Sequence, residues 1–93
     1  MLHLIAFAPD NKTLLAQAGL AINAGDDIVL LDAGAAFANS APAFELLDQN
    51  AGEGVNYYLL GSSPAPGVPV KVIDSSGLVS LTEQHTASLS WYP

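Results

Sequence analysis

One histidine and a set of scattered aspartates are the residues of this chain best suited to chemistry. His85 closes the run Leu78-Val79-Ser80-Leu81-Thr82-Glu83-Gln84, and imidazole is the side chain whose ordinary pKa lies nearest neutrality. A reactive His85 needs a nucleophile and an orienting carboxylate beside it. Ser80 and Glu83 are near in sequence, but no G-x-S-x-G elbow surrounds them. The bland expectation comes first: a histidine that caps a helix C-terminus, satisfying late carbonyls and meeting the dipole favourably. Asp10, Asp26, Asp27, Asp32 and Asp74 fall mostly at the ends of predicted strands, where carboxylates hold magnesium in phosphoryl-transfer enzymes. Strand ends and caps are rich in Asp in any α/β domain, however, and only Lys12 and Lys71 could clamp a phosphate. Asp32-Ala33-Gly34 lacks the glycine spacing of a dinucleotide or phosphate loop. The chain contains no cysteine, which excludes a disulfide scaffold, a thiolate zinc site and a cysteine nucleophile. The residues therefore assign no catalytic group, no cofactor site and no metal site.

Charge narrows the partners. The formal net charge is −7, with Lys12 and Lys71 the only basic side chains besides the two histidines. Nucleic-acid binding rests on neutralising phosphates with Lys and Arg, so direct RNA or DNA contact is not expected. Anionic membranes are disfavoured on the same ground. Hydrophobic residues make up 51% of the 93 residues and charged ones only 12%. A domain of this size leaves a sizeable share of its surface in water, so part of that apolar content should face a partner. An obligate subunit or a homo-oligomer is the expectation. Met1-Leu2-His3-Leu4-Ile5-Ala6-Phe7-Ala8 lacks a basic leader and reads as a buried strand, and no run reaches the length of a membrane span. A soluble, cytoplasmic protein is expected.

The elements that must position these groups alternate. A first strand is predicted over Leu2–Phe7, an unbroken apolar run of the kind covered on both faces in parallel sheets. A helix follows over Lys12–Asn23, with Leu14, Leu15, Ala18 and Ile22 on one face, and Gly25 as its left-handed C-terminal residue. Gly19 within it permits close packing. Ile28–Leu31 is the clearest strand, and a short helical turn is expected over Ala35–Ala38. Ser40 caps a helix that runs to about Asn50, with Pro42 in its first turn. Val55–Leu60 and Val70–Ile73 are strands, separated by the breaker-rich loop 62–69, which reads as mobile. Ser75 or Ser76 caps a last helix to about Gln84, and Leu89–Tyr92 adds a short edge strand. The class is α/β: a three-layer α/β/α domain, single over 1–93, with a small, mostly parallel sheet of about five strands. Phe37, Tyr57, Tyr58, Trp91 and Tyr92 could stack bases, but with so few cations they read as core or interface residues. With His85 they form the expected partner interface.

The ordered motifs carry a resemblance. Met1-Leu2-His3, then Gly25-Asp26-Asp27 ahead of the Ile28–Leu31 strand, then Asp32-Ala33-Gly34 with Ala36, and finally Leu78-Val79-Ser80-Leu81-Thr82, His85 and Trp91 follow one pattern. In this order and spacing the chain resembles the DsrH/TusB family of small sulfur-relay proteins, over essentially its whole length. The resemblance implies a DsrEFH-like fold and a B-type subunit, joined with C-type and D-type paralogues in a hetero-hexamer of two copies each. In such complexes sulfur passes as a persulfide on a cysteine of the D-type subunit. One branch delivers it to 2-thiouridine at the tRNA wobble position; the Dsr branch serves oxidation of stored sulfur.

Two departures qualify it. Some DsrH members carry a cysteine in the first helix, at about Ala18 here, and this chain has none. The segment between the third and fourth strands is also shorter and proline-rich. The expected role is thus a subunit that carries no sulfur, needs no cofactor, and shapes or shields its partners' reactive thiol. The alternatives are a self-associating α/β module that binds a small ligand at the strand-end crevice near Asp10, Asp32 and Asp74, and a small hydrolase or metal enzyme built on His85.

Overall fold

A computed structural model describes all residues from 1 to 93. The strands are β1 (Leu2–Ile5), β2 (Asp27–Leu30), β3 (Asn56–Leu60), β4 (Lys71–Ile73) and β5 (Ser88–Trp91); the helices are α1 (Lys12–Ala21), α2 (Ala41–Ala51) and α3 (Ser75–Gln84). A 3-10 helix over Asp32–Ala38 precedes α2. The sheet order is β4-β3-β2-β1-β5, and every pairing is parallel. The expected three-layer class holds, and the sheet is parallel throughout, not merely for the most part.

Handedness explains which face each helix covers. Right-handed crossovers that step repeatedly in one direction leave their helices on one face. The steps β1→β2 and β2→β3 do so, and α1, the 3-10 helix and α2 contribute together to a core of 15 buried residues that includes Phe7, Leu15, Phe37 and Leu47. The step β4→β5 runs back across the sheet, which puts α3 on the other face. That second core holds only 3 buried residues, Leu2, Val29 and Leu81. Leu4, Leu31, Tyr58, Leu60, Ile73 and Leu78 pack around them half-buried.

Several boundaries differ from the sequence reading, each for a local reason. α1 stops at Ala21, because Ile22 turns extended and the Asn23 backbone N–H is taken by the Asp26 carboxylate. Gly25 is therefore not a helix C-terminal residue; its φ of +84° serves the turn into β2. α3 is capped by Asp74, not Ser75 or Ser76: Asp74 is extended and its carboxylate accepts from the Gly77 N–H at 2.9 Å. The helical turn begins at Asp32, earlier than Ala35, with Asp32 itself at φ 51°. Segment 62–69 is pinned: the Ala65 N–H donates to the Ala38 carbonyl at 2.8 Å, and Val68 is buried in the main core. Gly19 does allow close approach, since a Cβ there would stand 3.0 Å from the Asn50 Cβ on α2.

Candidate functional site

The polar chemistry of the molecule gathers at the amino ends of β1 and β2. Asp26 and Asp27 are consecutive, so their side chains leave β2 toward opposite faces. Each meets one histidine.

On the α1/α2 face, the Asp26 carboxylate gathers three donors. The chain-terminal ammonium of Met1 donates to Oδ1 at 2.9 Å, the Asn23 backbone N–H to Oδ2 at 2.8 Å, and His3 Nε2 to Oδ2 at 3.0 Å. Burial alone would raise the Asp26 pKa; the Asn23 N–H, the ammonium and His3 together outweigh it and bring it down to about 2. The His3 tautomer follows from its other neighbour. Trp91 Nε1–H, a donor only, points at His3 Nδ1 across 3.2 Å. Nδ1 must then carry the lone pair and Nε2 the proton. The rings also stack at 6.3 Å between centroids, and His3 is wholly buried. Both His3 nitrogens are occupied.

On the α3 face, His85 reaches from the C-terminal end of α3 to β2. Its Nε2 lies 2.8 Å from Asp27 Oδ2, while Asn56 Nδ2 on β3 donates to Asp27 Oδ1 at 3.0 Å. A carboxylate only accepts, so here too Nε2 bears the proton. His85 does stand at the end of α3, but its ring does not satisfy the late helix carbonyls as expected: it pairs with an aspartate 58 residues away. Tyr58 stands beside this pair. Burial first, and then the Asp27 charge, raise its phenol above the usual range.

The remaining candidates scatter. Phe37 is fully buried edge-to-face against Phe7, and Tyr57 is buried against Phe44 with its hydroxyl donating to Asp48 at 2.8 Å. Both rings are packed into the chain's own main core, Phe37 wholly and Tyr57 with one edge on the cavity beside β4. Burial and the Asp48 contact push the Tyr57 phenol well up. Tyr58, His85 and Trp91 are half-buried, and Tyr92 is exposed. The carboxylates at the far ends of the strands do not share one crevice. Asp32 follows β2, whereas Asp74 follows β4, two strands away and so about 10 Å off, and lines a cavity that neither Asp10 nor Asp32 lines. No three His, Asp or Glu side chains are arranged to hold a metal ion. Two cavities flank the β3–β4 edge. One, of about 560 Å³, opens among Asp48, Asn56, Tyr58 and Lys71; the other, of about 640 Å³, lies among Ser62, Ser63, Lys71 and Asp74.

Sequence reasoning missed the Asp26–His3–Trp91 and Asp27–His85 sets. Their members stand 23, 88 and 58 residues apart. The one local hint was the Asp26-Asp27 doublet at a strand entry, where an ionisable pair has to find partners on both faces. No helix is long and apolar enough to cross a membrane. No protein-family model matches the chain, and no curated protein matches it.

Proposed function

We propose that the chain is a sulfur-free subunit of a sulfur-relay complex, assembled in the cytoplasm with C-type and D-type paralogues and supporting wobble-uridine thiolation of tRNA. One observation carries the reading: the core is lopsided. One face of the sheet is sealed by two helices, while the other has a single ten-residue helix over a half-covered apolar surface. Val79 on α3 is exposed as well, and so is Tyr92 just beyond β5. Apolar surface left half-covered in this way is where a partner can dock. With no cysteine in the chain, a part in persulfide transfer is limited to shaping, shielding or recruiting. The acidic balance leaves tRNA contact to another component.

Co-expression with candidate paralogues, followed by native mass spectrometry and labelling with sulfur from a cysteine desulfurase, tests the proposal. The expected result is a hetero-oligomer in which label resides on a partner and never on this chain. Labelled sulfur on the isolated chain, or a lone monomer that ignores the paralogues, overturns it.

The two cavities favour a second reading, a self-associating module for a small ligand, since their volumes fall in the usual range for such sites. A stable homo-oligomer indifferent to the paralogues supports that instead. A DsrH-type role in sulfur oxidation shares the first reading's architecture and differs in the downstream acceptor.

A further inference from the structure

The two histidine–aspartate pairs are built alike and finished differently. His3 donates from Nε2 to Asp26, receives Trp91 at Nδ1, and is 0% exposed. That pair is a closed structural lock. His85 donates from Nε2 to Asp27 in the same way, but nothing in the chain reaches its Nδ1. No buried side-chain nitrogen or oxygen in the molecule lacks a partner. The unpartnered Nδ1 of His85 therefore opens to solvent, consistent with a side chain 18% exposed.

We propose that His85 Nδ1 is a proton-accepting site for a thiol carried by a neighbouring chain, with Asp27 and Asn56 as its positioning residues. The proposal rests on the subunit reading above and names the group that the assembled partner brings. The orientation is fixed from two sides: Asn56 holds one Asp27 oxygen and His85 the other. A carboxylate so held keeps the imidazole in one tautomer and offsets the charge it gains on protonation.

The proton donor is the thiol that the subunit reading brings to this chain, and its acidity suits the site. An imidazole exchanges protons efficiently with acids of comparable strength. Ordinary thiols, near about 8.5, are close enough; alcohols are far weaker, and carboxylic acids are already ionised at neutral pH. This chain has no thiol, so the donor comes from outside. In the step, the S–H bond breaks, its electron pair stays on sulfur as thiolate, and the proton forms an N–H bond at Nδ1. Nothing is oxidised or reduced. The titratable groups against the site are Asp27 on β2 and Tyr58 on β3, while Glu83, two residues before His85, is exposed at the end of α3. Lys71 lies on β4 with β3 between it and β2, and the terminal ammonium is engaged by Asp26. No cation among them opposes an imidazolium.

Two measurements on the protein test this. Treating the folded chain with diethyl pyrocarbonate, which acylates unprotonated imidazole, should give a single histidine adduct, on His85 and not on the sealed His3. Failure of His85 to react in the folded chain overturns the proposal whatever the fate of the subunit reading. In the co-purified complex, the pH profile of iodoacetamide alkylation of the partner thiol is then compared between wild type and His85→Gln. The substitution should move the midpoint up by about one pH unit and slow alkylation about tenfold below it. Asp27→Asn should move the midpoint in the same direction by less. An intact complex, confirmed by native mass spectrometry, with an unmoved midpoint overturns the proposal and leaves the subunit reading standing. Failure of any complex to form overturns the subunit reading and the thiol assignment with it.

Discussion

Single residues already set measurable expectations. A Cβ at Gly34 would stand 1.9 Å from the Ile5 carbonyl oxygen, a backbone atom that cannot swing aside. Gly34→Ala should therefore cost several kcal/mol or abolish folding, read by urea denaturation with circular dichroism. Two residues earlier, Asp32 holds a left-handed φ of 51°. Asp32→Gly relieves that conformation and should cost little, or gain up to about 1 kcal/mol, in the same measurement. Asp26 makes a prediction in pH. Its folded pKa of about 2 lies below the ordinary 3.8, so the unfolded chain takes up the proton first as acid is added. The stabilisation is complete above the ordinary value and is lost as pH falls through the folded one. Asp26→Asn should lower stability at pH 7 by about 2–4 kcal/mol and flatten the acid limb between those two values. An unchanged acid limb would show that the carboxylate contributes nothing there.

At the level of elements, most of the architecture could be read from patterning and the polar wiring could not. The apolar runs at Leu2–Ile5, broken only by His3, and Ile28–Leu30 announce strands covered on both faces, and both are interior in the sheet. Ser40 before Pro42 and Phe44 marks the start of α2 by chemistry local to four residues. Caps that depend on which of several polar neighbours turns extended were harder, and Asp74 prevailed over Ser75 and Ser76 because a carboxylate accepts more strongly than a hydroxyl. The burial of Phe37 was hidden for a different reason. A short 3-10 helix has no period long enough to show a face, so nothing local tells whether its aromatic ring points in or out. Phe37→Ala should accordingly behave as a core deletion, costing about 3–5 kcal/mol by chemical denaturation. The edge strand β5 depends on a link that no periodicity could display. Trp91→Phe keeps the ring but removes the N–H that holds His3 Nδ1, and should cost about 1–3 kcal/mol. It should also release His3 from its single tautomer, read in long-range ¹H–¹⁵N spectra of the imidazole.

For the whole molecule, the lopsided core and the net charge of −7 act together. The exposed apolar surface favours company, while like charge discourages a second copy of the same chain and favours an unlike one. Val79, 53% exposed on α3, should tolerate Val79→Glu with little change in the stability of the isolated chain. The same change should abolish co-assembly with the paralogues in native mass spectrometry, and unimpaired assembly would remove α3 from the proposed interface. One further consequence lies in the aspartate doublet. Because neighbouring side chains of a strand point to opposite faces, slipping β2 by one residue would aim each carboxylate at the wrong layer. His3 and His85 would then lose their acceptors in a single stroke, and two imidazoles would be left without an answering charge. The doublet thus works as a key that fits the lock in one alignment only, and it rejects the mis-threaded sheets that a purely greasy central strand would tolerate.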